Sequence, residues 1–330
     1  MLNRRPDQLD EIKSLSGTLQ GTAWCVLVFA SLIIMGLLST PGRAENPNAA
    51  LSTLGGTQFW ADEHLRGGWR IQRHVWSGHF RLLDDHNVRH AWGSYPDCLA
   101  RLNERKVAAS ENRHLVLLVH GIGRGPATFG DLPDKLRTAG FEARAISYPS
   151  TRGSIEDHAA QLERLLQRAD GVDEVSFVTH SMGGIIVRRL LSGNGEWQSR
   201  IKPGRLIMIA PPNQGSVVAK ALQPAWPYRL FYGTAGQQLT PAKVTVLPVP
   251  EIPFGIIAGG LGDTEGYNPL VPGDDDGTVS VAETRLQGAK DFMVLPGLHG
   301  FIARSPEIVL PVLNFLRSGR FETVRRHPNG

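Results

Sequence analysis

The sequence predicts an α/β protein, with a mostly parallel central β-sheet and helices packed on both faces. From Leu115 onward, short apolar runs alternate with segments of helical periodicity. The runs are continuous rather than alternating, as in Leu115-Val116-Leu117-Leu118-Val119, which is the pattern of a strand buried on both faces. A third sign is Thr179-His180-Ser181-Met182-Gly183, placed between a β-rich run, Asp173 to Val178, and a helix-forming run, Gly184 to Leu191. That position marks a sharp strand-to-helix turn.

The chain begins with a polar leader containing Arg4, Arg5, Asp7, Asp10, Glu11 and Lys13. Thr22 to Leu38 then runs apolar without a charge and reads as a helix just long enough to span a bilayer. Arg4, Arg5 and Lys13 precede it and only Arg43 follows closely, which favours an N-terminus inside and a body outside. The expectation for 1–44 is a membrane anchor. A cleavable signal peptide stays open, because Gly42-Arg43-Ala44 offers small residues after Pro41.

Residues 45–65 read as a polar linker, with Gly55-Gly56 and little periodicity. Trp69 to Trp76 alternates apolar with polar residues, as a half-buried strand does, and Phe80 to Leu83 is a candidate hairpin partner. A helix is expected from Ser94, its cap, through Pro96 in the first turn to about Glu104. Residues 66–112 are expected to supply the leading strands and an accessory element of the same domain. Trp60, Trp69, Trp76 and Trp92 face a core on this reading, with a membrane-facing aromatic patch as the alternative. His64, His74, His79, His86 and His90 show no ligand spacing and read as solvated or partly buried.

Strands are expected near 115–119, 142–148, 174–179, 205–210, 254–258 and 291–295. Helices are expected near 126–139, 155–169, 182–192 and 306–317. His120-Gly121-Ile122-Gly123-Arg124-Gly125 follows the first of these strands. A Gly-rich turn there presents the Ile122 amide towards a serine at the later turn. With the Met182 amide at the helix start it makes a two-donor oxyanion site. Residues 211–250 break the alternation, and the aromatic stretch with Trp226, Tyr228 and Phe231 is expected to line a substrate pocket as a cap. The alternative is a satellite core on the sheet edge. Asp274-Asp275-Asp276-Gly277 offers an acid in a loop, and Leu295-Pro296-Gly297-Leu298-His299 offers a histidine after a strand. Asp263 also follows a strand and is a second candidate acid. His180 points away from Ser181 at such a turn and reads as buried, and His120 as a support for the Gly-rich loop. Residues 321–330 read as a basic tail.

Together, His-Gly-Ile-Gly, Thr-His-Ser-Met-Gly-Gly, the aspartate loop and His299 resemble the α/β-hydrolase superfamily, in particular bacterial lipase- and esterase-like members. The resemblance covers roughly residues 113–320, with Thr179 where the elbow usually has glycine. It implies Ser181 as nucleophile, His299 as general base, Asp276 as orienting acid, and Ile122 and Met182 amides as oxyanion donors. It places a small cap after the sixth strand, with the domain running over 66–320. The implied chemistry is carboxylic-ester hydrolysis through an acyl-serine, with a small-molecule or lipid ester as substrate and no metal or organic cofactor. Acyl transfer, thioester hydrolysis and a catalytically silent binding scaffold are the alternatives.

Composition agrees. A chain of 330 residues with 41% apolar content can bury one large core. A formal charge of +4 with no basic stripe gives no support to nucleic-acid binding. Only Cys25 and Cys98 occur, so the body has one thiol and no internal disulfide, and no zinc-ligand spacing is present.

Overall fold

The computed structural model describes residues 51–53, 55–108, 111–218 and 234–322. The chain divides after Asn46, and all of these residues lie in the unit Pro47–Gly330. The expected anchor or signal, the pocket aromatics Trp226, Tyr228 and Phe231, and residues 323–330 lie outside the described residues. Among the described residues no helix is long and apolar enough to cross a membrane.

The leading residues form a sheet of their own. Strands β1 (Leu51–Ser52), β2 (Trp60–Arg66), β3 (Trp69–His74), β4 (Phe80–Leu83) and β5 (Val88–Gly93) pair antiparallel in the order β1-β5-β4-β3-β2. Helix α1 (Tyr95–Glu104) starts with the expected Ser94 cap, completed by Asp97 as a capping box. It closes a small core of Ile71, Leu82, Ala91, Cys98 and Leu102 against this sheet.

Two expectations are corrected here. The linker expected over 45–65 contains β2, whose Trp60 to His64 are buried. The separate sheet also means that 66–112 adds no leading strand to the parallel sheet. Strand β2 was missed because its buried run Asp62-Glu63-His64 is polar, and its partners are remote in sequence. Asp62 accepts from Gln72 Nε2 at 2.7 Å and from the Ser147 amide at 2.7 Å. Glu63 sits between Arg164 and Arg168, at 3.1 and 2.9 Å. His64 meets Asp170 at 3.0 Å and is buried, not solvated. Of the four tryptophans, Trp60 is buried and Trp76 is exposed.

The second sheet is wholly parallel. It comprises β6 (His114–Val119), β7 (Glu142–Ala145), β8 (Glu174–His180), β9 (Lys202–Ile209), β10 (Phe254–Gly259) and β11 (Asp291–Leu295), in the order β11-β10-β9-β8-β6-β7. Both faces are covered. Leu115, Leu117 and Val119 pack on one side with residues of α3 (Ile155–Gln167) and α4 (Met182–Leu191). Val116 and Leu118 pack on the other with α2 (Leu132–Thr138) and α5 (Val309–Ser318). Apolar side chains are therefore required at successive positions, which is why the run at 115–119 is unbroken.

The expected boundaries shift where local bonds intervene. Strand β7 stops at Ala145 rather than 148, because the Ser147 amide and carbonyl turn to Asp62. The helix expected over 126–139 is split at Gly130 into a 3-10 turn, Pro126–Phe129, and α2. The insertion over 211–250 follows the strand expected near 205–210, β9, which stands fourth in the parallel sheet in chain order because the leading strands belong to the other sheet. Phe321, assigned to the tail, is buried, and its amide donates to Asp291 at 2.8 Å.

Helix α4 comes unusually close to β6. A Cβ at Gly183 would lie 2.2 Å from the Val119 carbonyl oxygen and 2.8 Å from that of His120. Both are buried main-chain atoms at the carboxyl end of β6, which is held between β8 and β7. Gly183→Ala is expected to cost about 3 kcal/mol, as overpacking against backbone does. Urea unfolding checks this, and an alanine variant as stable as the parent would contradict the close approach.

Candidate active site

The carboxyl ends of β6, β8, β10 and β11 converge on one place. Ser181 follows β8 directly and starts α4 with φ 53° and ψ −127°. A non-glycine residue pays about 1–2 kcal/mol for that left-handed region. The Ser181 amide donates to the Ile209 carbonyl at 2.9 Å, and Gly183 lets the helix start lie against β6. Thr179, in place of glycine, is buried and donates its hydroxyl to the Ile207 carbonyl at 3.2 Å.

His299 reaches Ser181 from the loop after β11. Its Nε2 is 2.9 Å from Ser181 Oγ, and its Nδ1 is 2.7 Å from Asp276 Oδ2. A carboxylate oxygen accepts, so Nδ1 carries the hydrogen and Nε2 is left to accept from the serine hydroxyl. The His299 amide also donates to the Asp276 carbonyl at 2.7 Å. The other Asp276 oxygen, Oδ1, accepts from the Thr278 and Val279 amides at 3.0 and 2.8 Å. With Asp276 only 1% exposed, all of its acceptor capacity is directed inward.

The remaining aspartates serve the loops. Asp274 accepts from the Leu261 and Gly262 amides, and buried Asp275 from Asn268 and Gly277. Asp263 is exposed and accepts from the Glu265 and Gly266 amides, so the structure does not bring it to His299.

His180 is buried, as expected, and its Nε2 donates to the His299 carbonyl at 2.8 Å. Burial holds its imidazole well below the ordinary histidine range, with the neighbouring His299 acting in the same direction. His120 is buried too, stacks on Tyr148 with ring centroids 4.2 Å apart, and is lowered to about 4 by burial. Both imidazoles are thus neutral packing groups around the site at neutral pH.

Ile122 lines the cavity that holds Ser181 and His299, a space of about 290 Å³. Met182 is the first residue of α4, so its amide has no carbonyl one turn back within the helix. Pro212, Ser216, Val218 and Leu239, from the insertion after β9, line the same cavity. Ala235 and Val244 of that insertion join the main core, so its described residues supply both pocket wall and core packing. A larger cavity of about 520 Å³, with Glu63, Trp76 and Arg152 in its wall, shares no lining residue with this one.

Two supporting residues were not legible in the sequence. Gln58 Nε2 donates to the Arg124 carbonyl at 2.7 Å and to Ser150 Oγ at 3.0 Å. Ser150 Oγ in turn accepts from the Gly123 amide at 3.0 Å. A glutamine in an apparent linker thereby fixes the Gly-rich loop, and no local signal marks it.

The sequence profile described as the alpha/beta hydrolase family matches residues 116–313, more than half of the chain. Solved structures are similar at low identity. The mature form of the lipase BlEst2 from Bacillus licheniformis is 18% identical, over 62% of this chain and 93% of that chain, with a TM-score of 0.49. Its propeptide form is 19% identical, over 62% of this chain and 51% of that chain, with a TM-score of 0.50. The metagenomic carboxyl esterase MGS0156 is 16% identical, over 58% of this chain and 65% of that chain, with a TM-score of 0.46. No curated protein matches. The wholly parallel sheet, the turn at Ser181 and the profile match agree: the chain belongs to the alpha/beta hydrolase family.

Proposed function

We propose that the protein is a serine hydrolase of carboxylic esters. The observation that carries this reading is the hydrogen-bonded row from Ser181 Oγ through His299 to Asp276, open to a cavity beside a free helix start. A serine hydroxyl is a weak nucleophile at neutral pH unless a base takes its proton during attack. His299 Nε2 accepts that proton and returns it to the leaving alcohol. Asp276 holds the imidazole in the required tautomer and offsets the charge that forms on it. The oxygen of the tetrahedral intermediate takes hydrogen bonds from the Ile122 and Met182 amides, a contribution of about 3–4 kcal/mol per donor in such sites. Water then releases the acid from the acyl-serine.

Ser181→Ala is expected to abolish both ester hydrolysis and labelling by a fluorophosphonate probe, with the fold unchanged by circular dichroism. Hydrolysis at the parental rate in that variant would end the serine-hydrolase reading.

Asp276→Asn should leave a folded protein whose turnover on p-nitrophenyl esters falls by roughly 10⁴, because His299 then favours the wrong tautomer. Asp263→Asn, altering an exposed turn, should stay near the parent. The reverse pattern would move the acid to Asp263.

We further propose that residues 1–44 tether the hydrolase body to a membrane on its extracytoplasmic side, on the strength of the uncharged stretch Thr22 to Leu38 and the cations before it. Deleting 1–44 should yield a soluble, active body. A reporter fused after Gly330 that is active only in the cytoplasm would overturn the orientation, and a mature chain beginning at Glu45 would replace the anchor by a cleaved signal.

A further inference from the structure

The wall of the Ser181 cavity is almost without charge. Among the described lining residues, Arg124 is the one ionisable group apart from His180 and His299. Arg124 stands in the Gly-rich loop, exposed, with its main chain tied down by Gln58 and by its own amide bonding to the Gly121 carbonyl. Among the described residues its guanidinium has neither an ion pair nor a hydrogen bond, unlike Arg66, Arg164 and Arg168, which face carboxylates. The guanidinium lies directly over Gly300. A Cβ built there would be 2.5 Å from Nη2, so glycine after His299 leaves the space that the guanidinium occupies.

The surroundings favour an anion at this point. Asp276, the carboxylate nearest in function, is buried and fully engaged with His299, Thr278 and Val279. The described lining residues of the insertion, Pro212, Ser216, Val218 and Leu239, carry no acid. A negatively charged group entering the cavity therefore meets a cation with five donors and, among the described lining residues, no competing acid. Because Gly300 follows His299, this cation stands beside the residue that returns a proton to the departing alcohol.

We infer that Arg124 selects esters whose alcohol portion carries an anionic group, a phosphate as in a glycerophosphate ester or a carboxylate. The inference rests on the hydrolase reading above and names the substrate class of that same site. The anion binds the guanidinium, and the ester carbonyl is thereby placed over Ser181.

The test compares matched short-chain esters that stay monomeric: 1-butanoylglycerol, its 3-phosphate, and the butanoyl ester of glycerate. Monoethyl succinate, with its anion on the acyl side, is the fourth substrate. For the full chain, kcat/KM should be about tenfold higher for the phosphate than for the neutral ester, the scale of one charge-assisted hydrogen bond, and the preference should shrink as salt is added. A similar gain for the glycerate ester shows that any anion serves, and a gain confined to the phosphate identifies phosphate as the recognised group. Arg124→Gln should bring the ratio of charged to neutral substrate close to one, and Arg124→Glu should take it below one, whatever the absolute rates. Gly300→Ala, which displaces the guanidinium without removing it, should lower the ratio independently. A parental ratio near one, a ratio unchanged in Arg124→Gln, or a preference seen only for monoethyl succinate would overturn the inference while leaving the hydrolase intact. So would failure to cleave any of the esters while the fluorophosphonate probe labels Ser181. Absence of both cleavage and labelling would instead remove the hydrolase reading and the inference with it.

Discussion

The φ of 53° at Ser181 is held from two sides, and the rest of the site is arranged around it. On one side the Ser181 amide is bonded to Ile209 of β9, so the turn continues the sheet ladder for one residue past β8. On the other, Gly183 sets the start of α4 against the carbonyls of Val119 and His120. Strand β8 lies between β6 and β9, so neither contact can be relaxed without moving the middle of the sheet. A strained residue persists when its surroundings over-determine it. Here the surroundings are buried core, with Phe177, Ile185 and Met208 all fully buried.

The partners of Ser181 are fixed by main-chain bonds rather than by side-chain packing alone. His299 is held at its amide by the Asp276 carbonyl and at its carbonyl by His180 Nε2. Its imidazole is thus positioned by a backbone pinned at both ends. The bond from His180 requires only a neutral imidazole, which burial guarantees at neutral pH. His180 sits next to Ser181 in sequence but supports the loop that faces it, so the strand end that delivers the hydroxyl also registers the base.

Much of this was legible because the relevant constraints are local. The unbroken apolar runs reflect strands buried on two faces, and the Ser94 cap, with Asp97 three residues on, declares the start of α1. The order of Ser181, Asp276 and His299 along the chain marked the row of side chains that the structure brings within hydrogen-bond distance. Choosing among three adjacent aspartates was harder, since all are loop acids. What separates them is which amides each one caps, and that depends on the path of 261–279. Strand β2 was hidden for a different reason. A run containing Asp62, Glu63 and His64 carries no apolar signal, and what makes it buriable is Gln72, Arg164, Arg168 and Asp170, up to about a hundred residues away. The Gln58 clasp on the Gly-rich loop is non-local in the same way.

Those remote pairs also explain why the antiparallel sheet is more than an attachment. Burying Asp62 raises its pKa against the pull of Arg70, and burying Arg81 lowers that guanidinium to about 10. Such groups are tolerable only with partners in place, because removing one leaves a desolvated charge or dipole unanswered. Two of the partners, the Ser147 amide and Gln161 Nε2, belong to the hydrolase body, so β2 is bound to that body through bonds that neither part can satisfy alone. Gln58 stands two residues before β2 and shares its placement. The Gly-rich loop that carries Ile122 and Arg124 is therefore braced from outside the parallel sheet, by a strand whose own position depends on compensated charge. The contrast with Arg124 follows directly: Arg164 and Arg168 face buried Glu63 and hold the frame together, whereas Arg124, without an acid among the described residues, stands where the frame opens onto Ser181.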